Sequence, residues 1–236
     1  MGAISKLKEK LHTLAKRLEK NARAKIKEAD EIQLQKLASS ISEDENWLER
    51  TLPLKKSDYS FIGAFIQSYC IADFNSRRLI NAMRAIYIND NKDFAARLSD
   101  ADVLLHLSKF AEQWHGIAHV SEGIGRAART LEMHRIHRHH FAHWIIRRMQ
   151  SADAFLMLTK NASEAEKRDG KAQGIDEAKW GLVMVKGLKA ELVKLQGHSD
   201  YLGKIAVKLE QQAIELRAEY LSQKANKSNR SAPPKD

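Results

Sequence analysis

One cysteine in 236 residues excludes an internal disulfide framework and suits a reducing compartment. That residue, Cys70, lies in the apolar stretch "FIGAFIQSYCIA" and reads as a small buried hydrophobe rather than a nucleophile. Three prolines and eleven glycines fall below ordinary usage, about 5% and 7% respectively. With so few breakers and an apolar period near 3.6 along most of the chain, an all-α protein is expected rather than a sandwich or a doubly wound sheet. No apolar run reaches the ~18–20 residues of a membrane span. The opening "MGAISKLKEK" has no signal-peptide h-region, and Lys6 stands where a myristoylation site wants Ser or Thr. A cytoplasmic protein without a transmembrane segment is expected. Acids are also short, 30 against 40 lysines and arginines, giving a net charge of +10. Such a balance favours a polyanionic partner, nucleic acid or an anionic membrane surface, over an acidic one.

What is present is mostly amphipathic helix. Ile4, Leu7, Leu11, Leu14 and Leu18 step by three and four residues under a basic coat, so residues 1–50 read as a basic N-terminal helix or arm. Three roles stay open for it: a coiled-coil arm, a membrane-surface helix, or one long helix packed on the body or on a partner chain. Acids and Pro53 in "SISEDENWLERTLPLKKSD" mark a boundary, and residues 57–222 read as one helical domain. Its first helix should bury Phe61, Phe65, Ile66, Tyr69, Ile71, Ile80 and Met83, with Arg77, Arg78 and Arg84 on a solvated face. "YINDNKD" is turn chemistry, and Ser99 caps the next helix. Gly116, Gly123 and Gly125 loosen the chain before a histidine-rich helix. "SADAFLMLTKN" then reads as a strand, a hairpin arm or a tight loop, and "ASEAEKRDGKAQG" as mobile. A last helix should span about Ile175 to Leu221, bent near Gly197, before a disordered tail over 223–236.

The histidine-rich helix, "LEMHRIHRHHFAHWIIRRM", carries five of the ten histidines. A metal site is the first reading to weigh. His139 and His143 are one turn apart, His137 and His140 three residues apart, and His115 and His119 form a further pair. Yet Arg135, Arg138, Arg147 and Arg148 would repel a dication, Glu132 is the only nearby acid, and neither HExxH nor a cysteine pair occurs. No metal and no cofactor is expected. Phosphate chemistry fits the composition better. Arginine offers a permanent forked donor set for phosphate oxygens, and histidine moves protons near neutrality.

The segment "RHHFAHW" resembles the R-x4-H signature of the HEPN superfamily, in which a polar residue usually follows the arginine and a small residue precedes the histidine. Arg129 with His134 and Arg135 with His140 share the spacing, but Thr130 and Ile136 follow those arginines. Only Arg138, with His139 after it and His143 at the end, fits the fuller pattern. The resemblance covers about Ser57 to Leu221. It implies an antiparallel α-helical bundle with a short irregular or β-like segment after the motif helix. It also implies a metal-independent endoribonuclease that leaves 2′,3′-cyclic phosphate ends, a homodimer lining one cleft with two motifs, and a role as a toxin with an antitoxin or regulatory partner, or as a phage-defence effector. Arg138 and His143 would be catalytic, with His139 auxiliary. His134, His140, Arg147 and Arg148 are candidate contacts to RNA phosphates, and Asp73 is the candidate acid to orient Arg138. On an ideal helix Arg138 and His143 lie about 140° apart, so a cleft between two copies would receive both better than a flat surface.

Each of these residues also has a plainer reading. Arg138, His139 and His143 could be a solvated basic face, His134, His137 and His140 satisfied packing histidines, and Trp144 a packing residue. Two other functions stay open: a non-catalytic HEPN-like RNA- or protein-interaction module, and a basic coiled-coil or membrane-surface protein led by the N-terminal helix.

Overall fold

Helix α2 (Lys56–Ile88) sets the frame. Its buried residues Ile62, Phe65, Tyr69, Ala72, Ser76, Leu79 and Met83 recur at steps of three and four, the period of one helix face. Asp58 Oδ2 accepts the Lys55 amide at 2.9 Å just before the first turn. The computed structural model describes residues 28–41, 46–88, 93–113, 118–159 and 179–230. The heptad segment Ile4–Leu18, His115, the side chain of His119 and the stretch expected to be mobile lie outside the described residues.

The chain divides into two units, residues 1–54 with 145–188, and 55–144 with 189–236. In the larger unit α2 runs to Ile88, and the described link from residue 93 then runs back along it. Arg77 Nη1 donates to the carbonyls of Ala95 (2.6 Å) and Leu98 (3.0 Å). Asn81 donates to Asp93 at 2.7 Å and accepts the Ala95 amide at 3.0 Å. Helix α3 (Asp100–Gln113) therefore starts beside Arg77, with Asp100 3.4 Å away, and is parallel to α2. Ser99 caps it as expected, its hydroxyl accepting the Asp102 amide at 3.2 Å.

Helix α4 (Ala118–His143) is antiparallel to its neighbours. Phe61 and Phe65 of α2 meet Phe141, while Phe65 also meets His134. Helix α5 (Val185–Arg230) closes the bundle. Its Tyr201 hydroxyl donates to the Val120 carbonyl at 3.1 Å, and its Ser199 carbonyl accepts from Asn75 Nδ2 at 3.1 Å. Two glycines permit this closeness. A Cβ on Gly123 would collide with the Tyr201 hydroxyl, and one on Gly203 would sit 2.8 Å from Asn75 Nδ2. Gly123 thus serves packing inside α4, not a loosened approach to it.

The smaller unit holds a sheet that the sequence reading reduced to one short segment. Strands β1 (Thr51–Leu52), β2 (Ile145–Met149), β3 (Ala154–Thr159) and β4 (Lys179–Met184) pair antiparallel in that order. Arg147 lies opposite Leu156, and Leu156 opposite Leu182. Leu37 and Ile41, from a helix over residues 28–41 (α1), share a core with Met149, Ala154, Leu156 and Leu158. The alternation 154, 156, 158 is the period of one strand face. The described chain is therefore mostly helical with a small antiparallel sheet. Three expectations change. Residues 179–184 are strand, so α5 begins at Val185 rather than near Ile175, and it continues to Arg230. Cys70 is exposed and Ile71 is 46% exposed, because both fall off the buried stripe of α2.

Candidate functional site

Arg138, His139 and His143 occupy the last turns of α4, with His143 its final residue. The Arg138 guanidinium carbon lies 5.9 Å from the centre of the Tyr69 ring on α2, and its Nη2 lies 3.9 Å from Asp100 Oδ2 on α3. At that distance the ion pair exceeds hydrogen-bond length. It steers the side chain while leaving its forked donors available, and Arg138 keeps 31% of its side-chain surface exposed. The imidazoles of His139 and His143, one turn apart, have ring centres 4.6 Å apart. His143 is exposed and His139 half-buried.

The acid beside Arg138 is thus Asp100. Asp73 receives a 2.7 Å hydrogen bond from Arg77 Nε. Burial, then the Asp100 and Asp73 carboxylates, push the Tyr69 hydroxyl well above its ordinary range. Tyr69 therefore stays protonated at any working pH and acts as a neutral wall under Arg138. Arg135 is spent on Glu132, through a two-pronged contact of 3.0 and 2.6 Å. Sequence reasoning missed Asp100, which it read only as part of a helix start. Pairing α3 with α4 requires the fold, and no spacing in the sequence marks it.

His134, His137 and His140 each turn Nδ1 into the protein. His134 is fully buried, with Nε2 3.0 Å from Glu191 Oε2 on α5. Its Nδ1 and that of His137 are buried without a hydrogen-bond partner. Burial lowers the pKa of His134 against the opposing pull of Glu191, and burial, then the nearby His134, lowers that of His137. Burial opposes the Glu191 charge too, but hydrogen bonds from Lys194 and His134 outweigh it and hold the carboxyl below its usual value. At neutral pH the pair is a neutral imidazole donating to a carboxylate, not an ion pair. Phe65 meets both imidazoles edge-on, at 5.8 and 6.1 Å. His140 packs on Trp144 with ring centres 4.2 Å apart. Of the candidate phosphate contacts, His134 is thus inaccessible to RNA, and His140 is a half-buried packing partner of an indole.

Arg147 and Arg148 stand on β2, in the sheet unit. Arg147 Nε donates to Thr51 Oγ1 at 3.1 Å, and Arg148 Nη1 to Asp153 Oδ1 at 2.7 Å. The arginines expected on a solvated face of α2 are instead structural. Arg77 clamps the return link, Arg78 grips Glu210 at 2.9 and 2.5 Å, and Arg84 lies 3.9 Å over the Phe94 ring.

Among the described residues, no group of three or more His, Cys, Asp and Glu fits a metal ion, and no helix is long and apolar enough to cross a membrane. Comparison with protein-family models, curated proteins and solved structures finds nothing that matches this chain.

Proposed function

We propose that the protein is a metal-independent endoribonuclease of HEPN type, with Arg138 and His143 as its catalytic pair and His139 as an auxiliary. The observation that carries this reading is the contrast within α4. His134 and His137 are neutral packing groups, whereas Arg138, held by Asp100 at 3.9 Å, and His139 and His143, with ring centres 4.6 Å apart, keep exposed surface at the helix end. An imidazole accepts the 2′-hydroxyl proton, and the 2′-oxygen attacks phosphorus as the bond to the 5′-oxygen breaks. The 5′-oxygen leaves with a proton, and the other fragment keeps a 2′,3′-cyclic phosphate. Arg138 neutralises the charge gathering on the phosphoryl oxygens, the role for which a forked, permanent cation is suited.

Arg138 turns toward Tyr69 and Asp100 while His143 sits about 140° further round the helix. One phosphate reaches both groups most simply in a cleft between two copies, so the active form is a homodimer. RNA is the substrate, and an antitoxin or other regulatory protein is the partner this class of activity calls for in the cytoplasm, where the chain would act as a toxin or phage-defence effector. The same tie between Arg138 and the bundle supports a second reading: a non-catalytic module that binds RNA or protein through this helix end. Incubating RNA with the parent, Arg138→Ala and His143→Ala in excess EDTA separates them. The nuclease reading expects each substitution to slow cleavage by about 10²–10⁴-fold. Binding that persists in all three without any cleavage supports the module.

A further inference from the structure

The far half of α5 carries an apolar strip that its own bundle leaves uncovered. Leu202, Ala206 and Leu209 are the last buried residues among those of α5 described, up to Gln223. From Gln211 to Gln223 every side chain except Ala213 is exposed, although the helix continues to Arg230. On this stretch Val207, Ile214 and Leu221 repeat at seven residues and are 56%, 63% and 54% exposed. At the bundle end the strip meets α2, where Phe74 is 60% exposed beneath the Arg78 guanidinium that grips Glu210. A solvated helical extension of this length is marginal by itself, and a seven-residue apolar repeat is the seam by which helices pair.

We propose that this strip is a self-association surface, on which a second copy of the chain lays its own α5 antiparallel. The charges choose both partner and direction. In the antiparallel register Val207 lies opposite the partner's Ala218, and Gln211 opposite the partner's Ile214. Lys208 then faces the partner's Glu215, a contact made twice by the twofold axis. A parallel pair would instead set Lys208 against the partner's Gly203 and Glu215 against the partner's Glu210, which Arg78 already holds. The sequence is thus complementary to itself in one direction only.

The surface is independent of the nuclease reading. Its centre lies about 30 Å along α5 from Glu191, the residue bonded to His134, at 1.5 Å per residue. It is therefore a contact separate from a cleft lined by two Arg138–His143 motifs. A seam of two to three heptads falls at or below the ~1,200 Å² of a stable interface, so the association is weak and depends on concentration.

Lys208 and Glu215 are both exposed, and changing them leaves the bundle intact. Sedimentation velocity on the full chain from about 1 to about 200 μM, with folding checked by circular dichroism, reads the rise of mass with concentration, from monomer to dimer or from a cleft dimer to a tetramer. Lys208→Glu should weaken self-association about tenfold, since two attractions become two repulsions. Lys208→Glu with Glu215→Lys should restore it. A mass that does not rise with concentration, an association indifferent to Lys208→Glu, or a double variant that stays weak would each overturn the proposal.

Discussion

Cys70 and Arg77 show how much turns on a residue's place around a helix. Cys70 follows the buried Tyr69 by 100°, which carries it off the core face into solvent. It should react with a thiol reagent in the folded protein as fast as after denaturation; protection in the native state would contradict its placement. Arg77 is the opposite case, a charge expected outside that is 21% exposed and bonded to Asp73, Ala95 and Leu98. Arg77→Ala would leave a carboxylate and two carbonyls short of a donor. A loss of about 2–4 kcal/mol in urea denaturation is expected, against less than about 0.5 kcal/mol for an ordinary surface change. At the site, Asp100→Asn removes the charge that steers Arg138. It should slow RNA cleavage less than Arg138→Ala does, because a long, half-exposed ion pair orients the guanidinium without supplying its charge.

At the level of elements, packing decides what propensity leaves open. Phe65 is fully buried in the ring cluster between α2 and α4, so Phe65→Ala should cost about 3–5 kcal/mol. Gly123→Ala should cost about 1–3 kcal/mol, since its Cβ meets Tyr201, and pairing it with Tyr201→Ala should recover part of that loss relative to Tyr201→Ala alone. The helices were legible in the sequence because their burial keeps a 3.6-residue period: Phe65, Tyr69, Ile80 and Met83 are core as read, and Ser99 is the cap it resembled. The sheet was less so. β3, "AFLMLT", announces itself by its apolar run, but β2 is "IIRRM" and β4 contains Gly181, and both are strands because β3 lies beside them. The pairing of β4 with β3 spans 20 to 30 residues and leaves no local mark, and the hairpin of β2 with β3 shows only in the apolar run of β3. The site follows the same rule. Its α4 residues are the candidates one short motif offers, whereas Asp100 and Tyr69 arrive from two other helices.

For the molecule as a whole, burial of several histidines makes stability depend on pH. His134, His137 and His198 are all lowered from 6.5, in each case mainly by burial. The unfolded chain then binds more protons than the folded one below about pH 6.5, so stability is full above that value and is lost as pH falls through the depressed folded values. Urea midpoints should drop between pH 7.5 and pH 5.5, and a flat profile would contradict neutral burial. The excess of basic groups, +10 in all, acts at longer range by drawing a polyanion toward the chain whatever its sequence. Affinity for RNA should accordingly fall steeply with salt. Charge alone does not cleave, however, and the central claim rests on His143. The most direct measurement is end-group analysis of a labelled RNA incubated in excess EDTA with the parent protein and with His143→Ala of confirmed fold. The account expects fragments bearing 2′,3′-cyclic phosphate from the parent and intact RNA from the variant. RNA left intact by the parent, or cut equally by both proteins, would contradict it.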